Sequence, residues 1–541
     1  MTVGPGMRKG LAMRTRLLIG SLALLLCWCE AALAQRSGDI LRLFHRENPT
    51  TASILEEANA ATVVAFMPIF NNLVMFDPAM ARNSDESIVP DLAESWSWND
   101  DRTELSFALR HGVKWHDGMV FTSSDVECTF DLLTNRSRDR LRTNPRGAWF
   151  ANIKSVRART DHDVTIQLHR PQPSLLPMLA SGFTPIYPCH VPLAQMRAKP
   201  VGTGPFVLEA FDKFERIRLK RNPNYWKPGR PYLDGIEFTV VASRSDALLS
   251  FVAGRFDMTF PGDVSMTQLR DVKRRSARAV CETTAANNYT NLMLNRDAAP
   301  FDNPDIRHAL LFAIDRQAFV ESLEGGSGGI GGHLQPPPAG RWGMPPLALA
   351  EIPGYGPDLQ RNREQARALM QAAGYGPDKR LQLRIATRSV SPFRSPAAVL
   401  AGQLREIFID ATLDVVETAH WRTRLERRDY TIAIETTGNA IDDPDQVFFE
   451  TFSCRSERNY NHYCNPEIER LFEVQSAELD VAKRRQLAWE IDTRLLLDVA
   501  RLPLTWKRAA TCWLPHVHGF VAQTNSSYNG FRFEDVWMER R

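Results

Sequence analysis

Chemistry in this 541-residue chain would have to come from a few clusters of polar side chains. Asp442, Asp443 and Asp445 stand close enough in sequence for one carboxyl to act as an acid and another as a base. Acidic residues beside a proline also start turns, because their side chains accept hydrogen bonds from nearby backbone amides, and Asp443-Pro444-Asp445 reads as such a turn. His111 and His116 flank a turn and read as surface or packing residues. His516 and His518 alternate along a probable strand and could chelate a metal, but no third ligand accompanies them. Gly202 and Gly204 look superficially like a phosphate loop, yet no Lys-Ser/Thr follows. Neither GxSxG nor HExxH occurs, and no cysteine has a recognisable catalytic setting. The residues point to binding without catalysis, with no cofactor and no metal.

The first 35 residues carry a different message. Arg8, Lys9, Arg14 and Arg16 precede the apolar run Leu17 to Cys27, and Ala32-Leu33-Ala34 ends it with small residues. That is the layout of a cleavable signal peptide over residues 1–34, cut after Ala34. The apolar run is short for a membrane span of about 20 residues. The leader holds four basic residues and one acidic one (Glu30), so its removal lowers the formal charge from +3 to zero. A neutral mature chain argues against nucleic acid or an anionic membrane surface as partner.

Six cysteines remain after cleavage: Cys128, Cys189, Cys281, Cys454, Cys464 and Cys512. An exported chain can pair them, and six allow about 15 full connectivities. Only Cys454 and Cys464 are close enough in sequence to expect a specific disulfide.

The elements that must position any site form a mixed α/β pattern. Leu105, Phe107 and Leu109 alternate with polar neighbours, and Val113 and Trp115 resume the alternation after His111-Gly112. Thr122 or Ser123 can cap a helix running to Leu133, with Asp125 in its first turn. Strand patterns recur at 163–168, at 215–220 and around Ile236. From Asp305, read as a cap, the period becomes helical through Val320. Units of strand and helix then alternate, with strands expected at 381–386, 412–416 and 430–435 and helices at 466–477 and 481–499. Gly325 to Gly332, followed by Pro336-Pro337-Pro338, reads as a long surface loop.

Four strings then resemble one family. Val89-Pro90-Asp91-Leu92-Ala93-Glu94-Ser95-Trp96 with Leu109 to Gly118 is the first. Gly202-Thr203-Gly204-Pro205-Phe206 with Arg221-Asn222-Pro223-Asn224-Tyr225-Trp226 is the second. Asn303-Pro304-Asp305-Ile306-Arg307 running into Asp315-Arg316 is the third, and Asp443-Pro444-Asp445 with Asn459-Tyr460 and Asn465-Pro466 is the fourth. In this order they are similar to bacterial extracellular solute-binding proteins of family 5, the dipeptide, oligopeptide and nickel type of ABC transporter component. The resemblance implies a bilobed periplasmic-binding-protein fold of the large, cluster C type. Lobe I would hold residues 36–72, 200–280 and 507–541 with an extra subdomain at 73–199, and lobe II would hold 281–506. It further implies a monomer in the periplasm that delivers a small-molecule ligand to ABC permease subunits of the inner membrane. A short peptide, an opine or a related amino-acid conjugate would be that ligand; a nickel chelate or haem is the alternative, and His420 and His462 lie near the expected cleft.

The same resemblance proposes site residues. The position that binds the ligand's amino group in dipeptide-binding members falls on Asn439, with Asp442 as a substitute if one extra residue shifts the backbone. Asn287, Asn288 and Tyr289 occupy the position of a cleft wall. Arg394 is the candidate for a ligand carboxylate, since guanidinium pairs with carboxylate in a bidentate manner; the other reading is a surface arginine before a helix. Trp421 either lines the cleft or packs under its helix. Thr436 and Thr437 would offer hydroxyls from a strand end.

Overall fold

The computed structural model describes residues 1–2, 37–526 and 528–539, so the expected signal peptide and its cleavage site lie outside the described residues. Apolar alternation produces three main sheets. Residues Leu105, Phe107 and Leu109 point inward from strand Glu104–Leu109, which sits in a four-stranded antiparallel sheet with Ala93–Trp98, Asp163–Leu168 and Ile153–Thr160. The helix Ser123–Leu133 packs beside it, opened by a reciprocal cap between Thr122 and Asp125. A second, mixed sheet orders Ile40–His45, Gly235–Val240, Arg216–Arg221 and Phe206–Asp212.

The third sheet has five strands, in the order Ile409–Val416, Leu381–Arg388, Ile432–Gly438, Val280–Leu294 and Leu502–Trp513. Its first three strands are parallel, with the helices Ser391–Leu404 and Thr418–Glu426 in the connections. The last two strands are long and antiparallel. Their near ends enter the other half of the molecule, where Met258 bridges both Leu43 and Trp513.

Two large cores result. One gathers residues from 41 to 272 together with Ala440, Ile441 and the chain from Ala510 to Met538. The other lies between Leu292 and Leu504. The register of the two long strands breaks between Ala285 and Tyr289, where Asn287 takes a φ of 53°. Asparagine tolerates that left-handed geometry better than most side chains.

The structure revises several local expectations. The helix expected from Asp305 through Val320 is two helices, Pro304–Ala313 and Arg316–Glu324. Asn303, not Asp305, caps the first, and Asp315 caps the second; each side chain accepts a backbone N–H of the first turn. The glycine-rich stretch is not wholly a surface loop, because His333, Leu334 and Gln335 are buried. Gly332 lets that chain run against Asp492, whose carboxylate a Cβ would meet at 2.2 Å. The strand resuming at Val113 is reduced to a single bridge between Lys114 and Val120. Among the described residues three disulfides form: Cys454–Cys464 as expected, and Cys128–Cys189 and Cys281–Cys512, which join elements distant in sequence.

The Gly202-Thr203-Gly204 string is a packing device. Its backbone lies against Ile69, and the Gly204 N–H donates to the Ile69 carbonyl at 2.9 Å. A Cβ on Gly204 would stand 2.4 Å from the Ile69 carbonyl carbon. His116 completes the contact, its Nε2 lying 3.0 Å from the Gly204 carbonyl oxygen. Gly204→Ala therefore forces backbone apart and is expected to destabilise the protein by about 2 kcal/mol or more, read from the urea unfolding midpoint.

Candidate functional site

A cleft of about 780 Å³ opens between the two cores. Its walls combine Arg46, Arg244 and Asp263 from the first with Trp421, Glu435 and Arg501 from the second. Most of its charges are neutralised locally. Asp263 takes Arg46 at 3.2 Å and Arg244 at 2.6 Å. Arg388, at the end of strand Leu381–Arg388, reaches Glu47 of the opposite wall at 3.2 Å. Arg422 pairs with Glu426 at 2.8 Å, and Arg458 pairs with Glu450.

Burial acts on the remaining groups. It lowers the Lys507 ammonium to about 8, against a weaker opposing pull from Glu324. The Lys507 Nζ donates to Thr436 Oγ1 at 3.0 Å. Burial likewise raises the carboxyls of Glu57 and Glu324 above their ordinary range. These shifts mark a wall drawn out of water, where charge is expensive unless matched.

The structure separates the expected site residues into two groups. Asn288, Trp421, Thr436 and Thr437 line the cleft. Trp421 does so through its indole N–H, which donates to Glu435, and its ring packs with Met293 and Ala433. Thr437 Oγ1 accepts from Asn291 at 2.9 Å and from Arg501 at 3.2 Å.

The other five lie off the cleft lining. Asn287 is buried and donates to the carbonyls of Ile441 and Asn525 at 2.9 and 3.2 Å. Tyr289 is fully buried, with its ring 4.6 Å from that of Trp506. Asn439 is buried against Asn287, donating to its Oδ1 at 3.3 Å. Asp442 accepts the Arg341 backbone N–H at 2.8 Å. The reason is visible in the core: Ala440 and Ile441 are buried in the first hydrophobic cluster, so the chain leaves the strand end and dives away from the cleft. Arg394 stands exposed on its helix while its neighbours Phe393 and Ser395 border the cleft.

The histidines are also engaged elsewhere. His516 pairs with Asp257 at 2.9 Å and His518 with Glu539 at 3.3 Å, so they do not share a ligand. His462 contacts Asp297, and neither it nor His420 borders the cleft. Asp443 caps helix Pro444–Thr451 and takes Arg484 through both oxygens at 2.7 and 2.8 Å. Among the described residues no group of three His, Cys, Asp or Glu is arranged to hold a metal ion.

Sequence reasoning missed Glu435, Arg501 and Lys507. Glu435 sits one residue before the threonines that it did select, and strand periodicity alone would have flagged it with Thr437. Arg501 and Lys507 had no local signal, because only the pairing of distant strands brings them to the wall.

Two bodies joined by crossing strands around a polar, charge-lined cleft have the architecture of a solute-binding protein. Residues 87–459 match the bacterial extracellular solute-binding proteins, family 5, and the chain belongs to that family. Such proteins are the solute-binding components of ABC transporters, not enzymes. The chain is 27% identical over 480 residues to the probable di/tripeptide-binding protein 5 of Pseudomonas aeruginosa strain UCBPP-PA14, covering 84% of this chain and 87% of that protein. It superposes with a TM-score of 0.82 on the periplasmic binding protein DppA from Helicobacter pylori in complex with peptide STSA, at 22% identity over 94% of this chain and 100% of that one. A TM-score of 0.79 relates it to AgaA from A. tumefacien R10 in complex with agropinic acid, at 21% identity over 93% and 99% of the two chains. Among the described residues no helix is long and apolar enough to cross a membrane.

Asp442 offers a test of its placement. Burial raises its carboxyl from 3.8 to about 7. Between those values the folded protein keeps a proton that the unfolded chain has released, so stability falls as pH rises through that window and the penalty is complete above about 7. Asp442→Asn is expected to raise the melting temperature at pH 8, with the gain fading toward pH 4 and ligand affinity unchanged. Asn439→Asp should instead lower stability by burying a carboxylate, and calorimetry should show no gain in affinity for peptides with free amino termini.

Proposed function

We propose that this protein captures a short peptide, an opine or a related amino-acid conjugate between two lobes and delivers it to the permease of an ABC importer. The observation that carries this reading is the cleft of about 780 Å³, walled from both cores and lined by charged and hydroxyl side chains. That volume falls in the range of small-molecule sites, about 300–1,000 Å³. Relatives with peptide-binding names, and structural neighbours bound to a peptide and to agropinic acid, support the ligand class.

Lobe I takes in residues 36–72, 200–280 and 507–541 with the subdomain at 73–199, and lobe II residues 281–506. The long strands Val280–Leu294 and Leu502–Trp513 are the hinge, and the Arg388–Glu47 pair is a latch between the walls. Closure of this kind needs only a few residues to absorb the backbone change. The mature protein starts after Ala34, acts in the periplasm and is a monomer.

Native mass spectrometry of protein purified gently from the periplasm tests the reading. The expected spectrum is a monomer beginning at Gln35 and carrying a small peptide or amino-acid conjugate that is released on activation. A bound haem or nickel mass, or a chain retaining its leader, would overturn the corresponding part. Arg388→Ala should speed release of that ligand several-fold in stopped-flow measurements, because the latch holds only the closed form.

A further inference from the structure

In the wall contributed by the second core, Arg501 and Glu435 form no ion pair among the described residues, and the same holds for the neighbouring Lys507 and Glu324. Arg501 is 3% exposed and lines the cleft. Its guanidinium donates only to neutral oxygens, Thr437 Oγ1 and Asn461 Oδ1, each at 3.2 Å, and its Nε has no acceptor. Hydroxyl and amide oxygens satisfy some of its donors without supplying countercharge, and Glu435 acts on it only through space, by less than the cost of burial. A guanidinium withdrawn from water in this state raises the free energy of the empty protein.

The backbone that carries the side chain is nonetheless held in place. His333 Nε2 lies 3.0 Å from the Arg501 carbonyl oxygen, and His333 Nδ1 lies 2.7 Å from Asp492 Oδ1; both side chains are fully buried. Rigid backbone support beneath a charge that has no direct partner is the arrangement expected of a binding group awaiting one.

Glu435 stands two residues before Thr437 on strand Ile432–Gly438. Alternate residues of a strand share a face, with a repeat of roughly 7 Å, so Glu435 and the Thr437–Arg501 contact face the cleft side by side. The Glu435 carboxylate accepts from the Trp421 indole and from the Thr436 N–H at 2.8 Å, both neutral donors. Lys507, a further cation of the cleft, donates to Thr436 Oγ1 and is drawn on by Glu324 and, more weakly, by Glu435.

We infer that Glu435 and Arg501 together bind the zwitterionic head of an α-amino acid, Glu435 taking its ammonium and Arg501 its carboxylate. The inference rests on the uptake reading above and narrows it. Charges placed side by side on one wall suit an ammonium and a carboxylate carried by a single carbon. The ends of an extended peptide lie roughly 3.3–3.6 Å apart per residue, so a peptide of three or more residues cannot present both ends here. The ligand inferred is an amino acid conjugated through its side chain, with its α-amino and α-carboxyl groups free; a dipeptide, whose ends stand one residue further apart, is the competitor.

Calorimetry with two isomers tests this: γ-Glu-Ala, which keeps a free amino-acid head, and α-Glu-Ala, which does not. The expected result is at least tenfold tighter binding of the γ-isomer to the ligand-stripped protein. Glu435→Gln and Arg501→Met should each weaken it by more than about a hundredfold. Arg501→Met should also raise the melting temperature of the stripped protein, since it removes an unmatched buried charge; a merely structural arginine would give a lower one. Equal binding of the isomers, binding of neither, full affinity in either variant, or a lower melting temperature for Arg501→Met would each overturn the inference. A peptide found in the protein from the periplasm would in that case leave the uptake reading standing while removing this subsite.

Discussion

Everything about this molecule depends on the antiparallel pairing of Val280–Leu294 with Leu502–Trp513. These strands carry the chain out of one hydrophobic core and into another, and the disulfide Cys281–Cys512 ties them where they enter the first. Their register breaks midway, at Asn287. A ladder interrupted at that point lets two separately packed bodies share a continuous backbone connection without sharing a core. The cleft is the space left between those bodies, and Thr284, Asn288 and Thr290, from either side of the break, line it.

Charge is the second organising term. A polar cleft of this kind must remain soluble when empty and still bind tightly when filled. Most of its arginines meet that demand by pairing with carboxylates on the same wall, as Arg46 and Arg244 do with Asp263. Pairing removes them from direct competition for the ligand and leaves them as shape. Among the groups without such a partner, Arg501, Glu435 and Lys507 rest on hydroxyls, an indole and amides. Stability is surrendered there, which is the usual mark of a binding surface.

The family strings turn out to be largely architectural. Gly202 and Gly204 allow contact with the Ile69 backbone, His116 bonds the Gly204 carbonyl, and Asp443 caps a helix while gripping Arg484. Motifs that identify the fold therefore sit where backbones approach most closely and tolerate least change. Cleft-lining positions lie between them, on strand ends and helix starts.

Local order was legible from the chain itself. Alternation placed Leu105, Phe107 and Leu109 inward, the Thr122–Asp125 cap was readable, and the late strands and helices fell near their expected positions because each obeys a period of two or about 3.6 residues. Thr436, Thr437, Trp421 and Asn288 border the cleft and lie on or beside such elements. What the chain could not reveal was which way a segment turns once its period ends. Asn439 and Asp442 follow a strand, and only the burial of Ala440 and Ile441 in the first core draws them off the cleft. Arg501 and Lys507 reach the wall because a strand far along the chain pairs with Val280–Leu294. Periodicity is a short-range property that sequence carries in full, whereas the meeting of distant side chains is decided by strand pairing and core packing, which exist only in three dimensions.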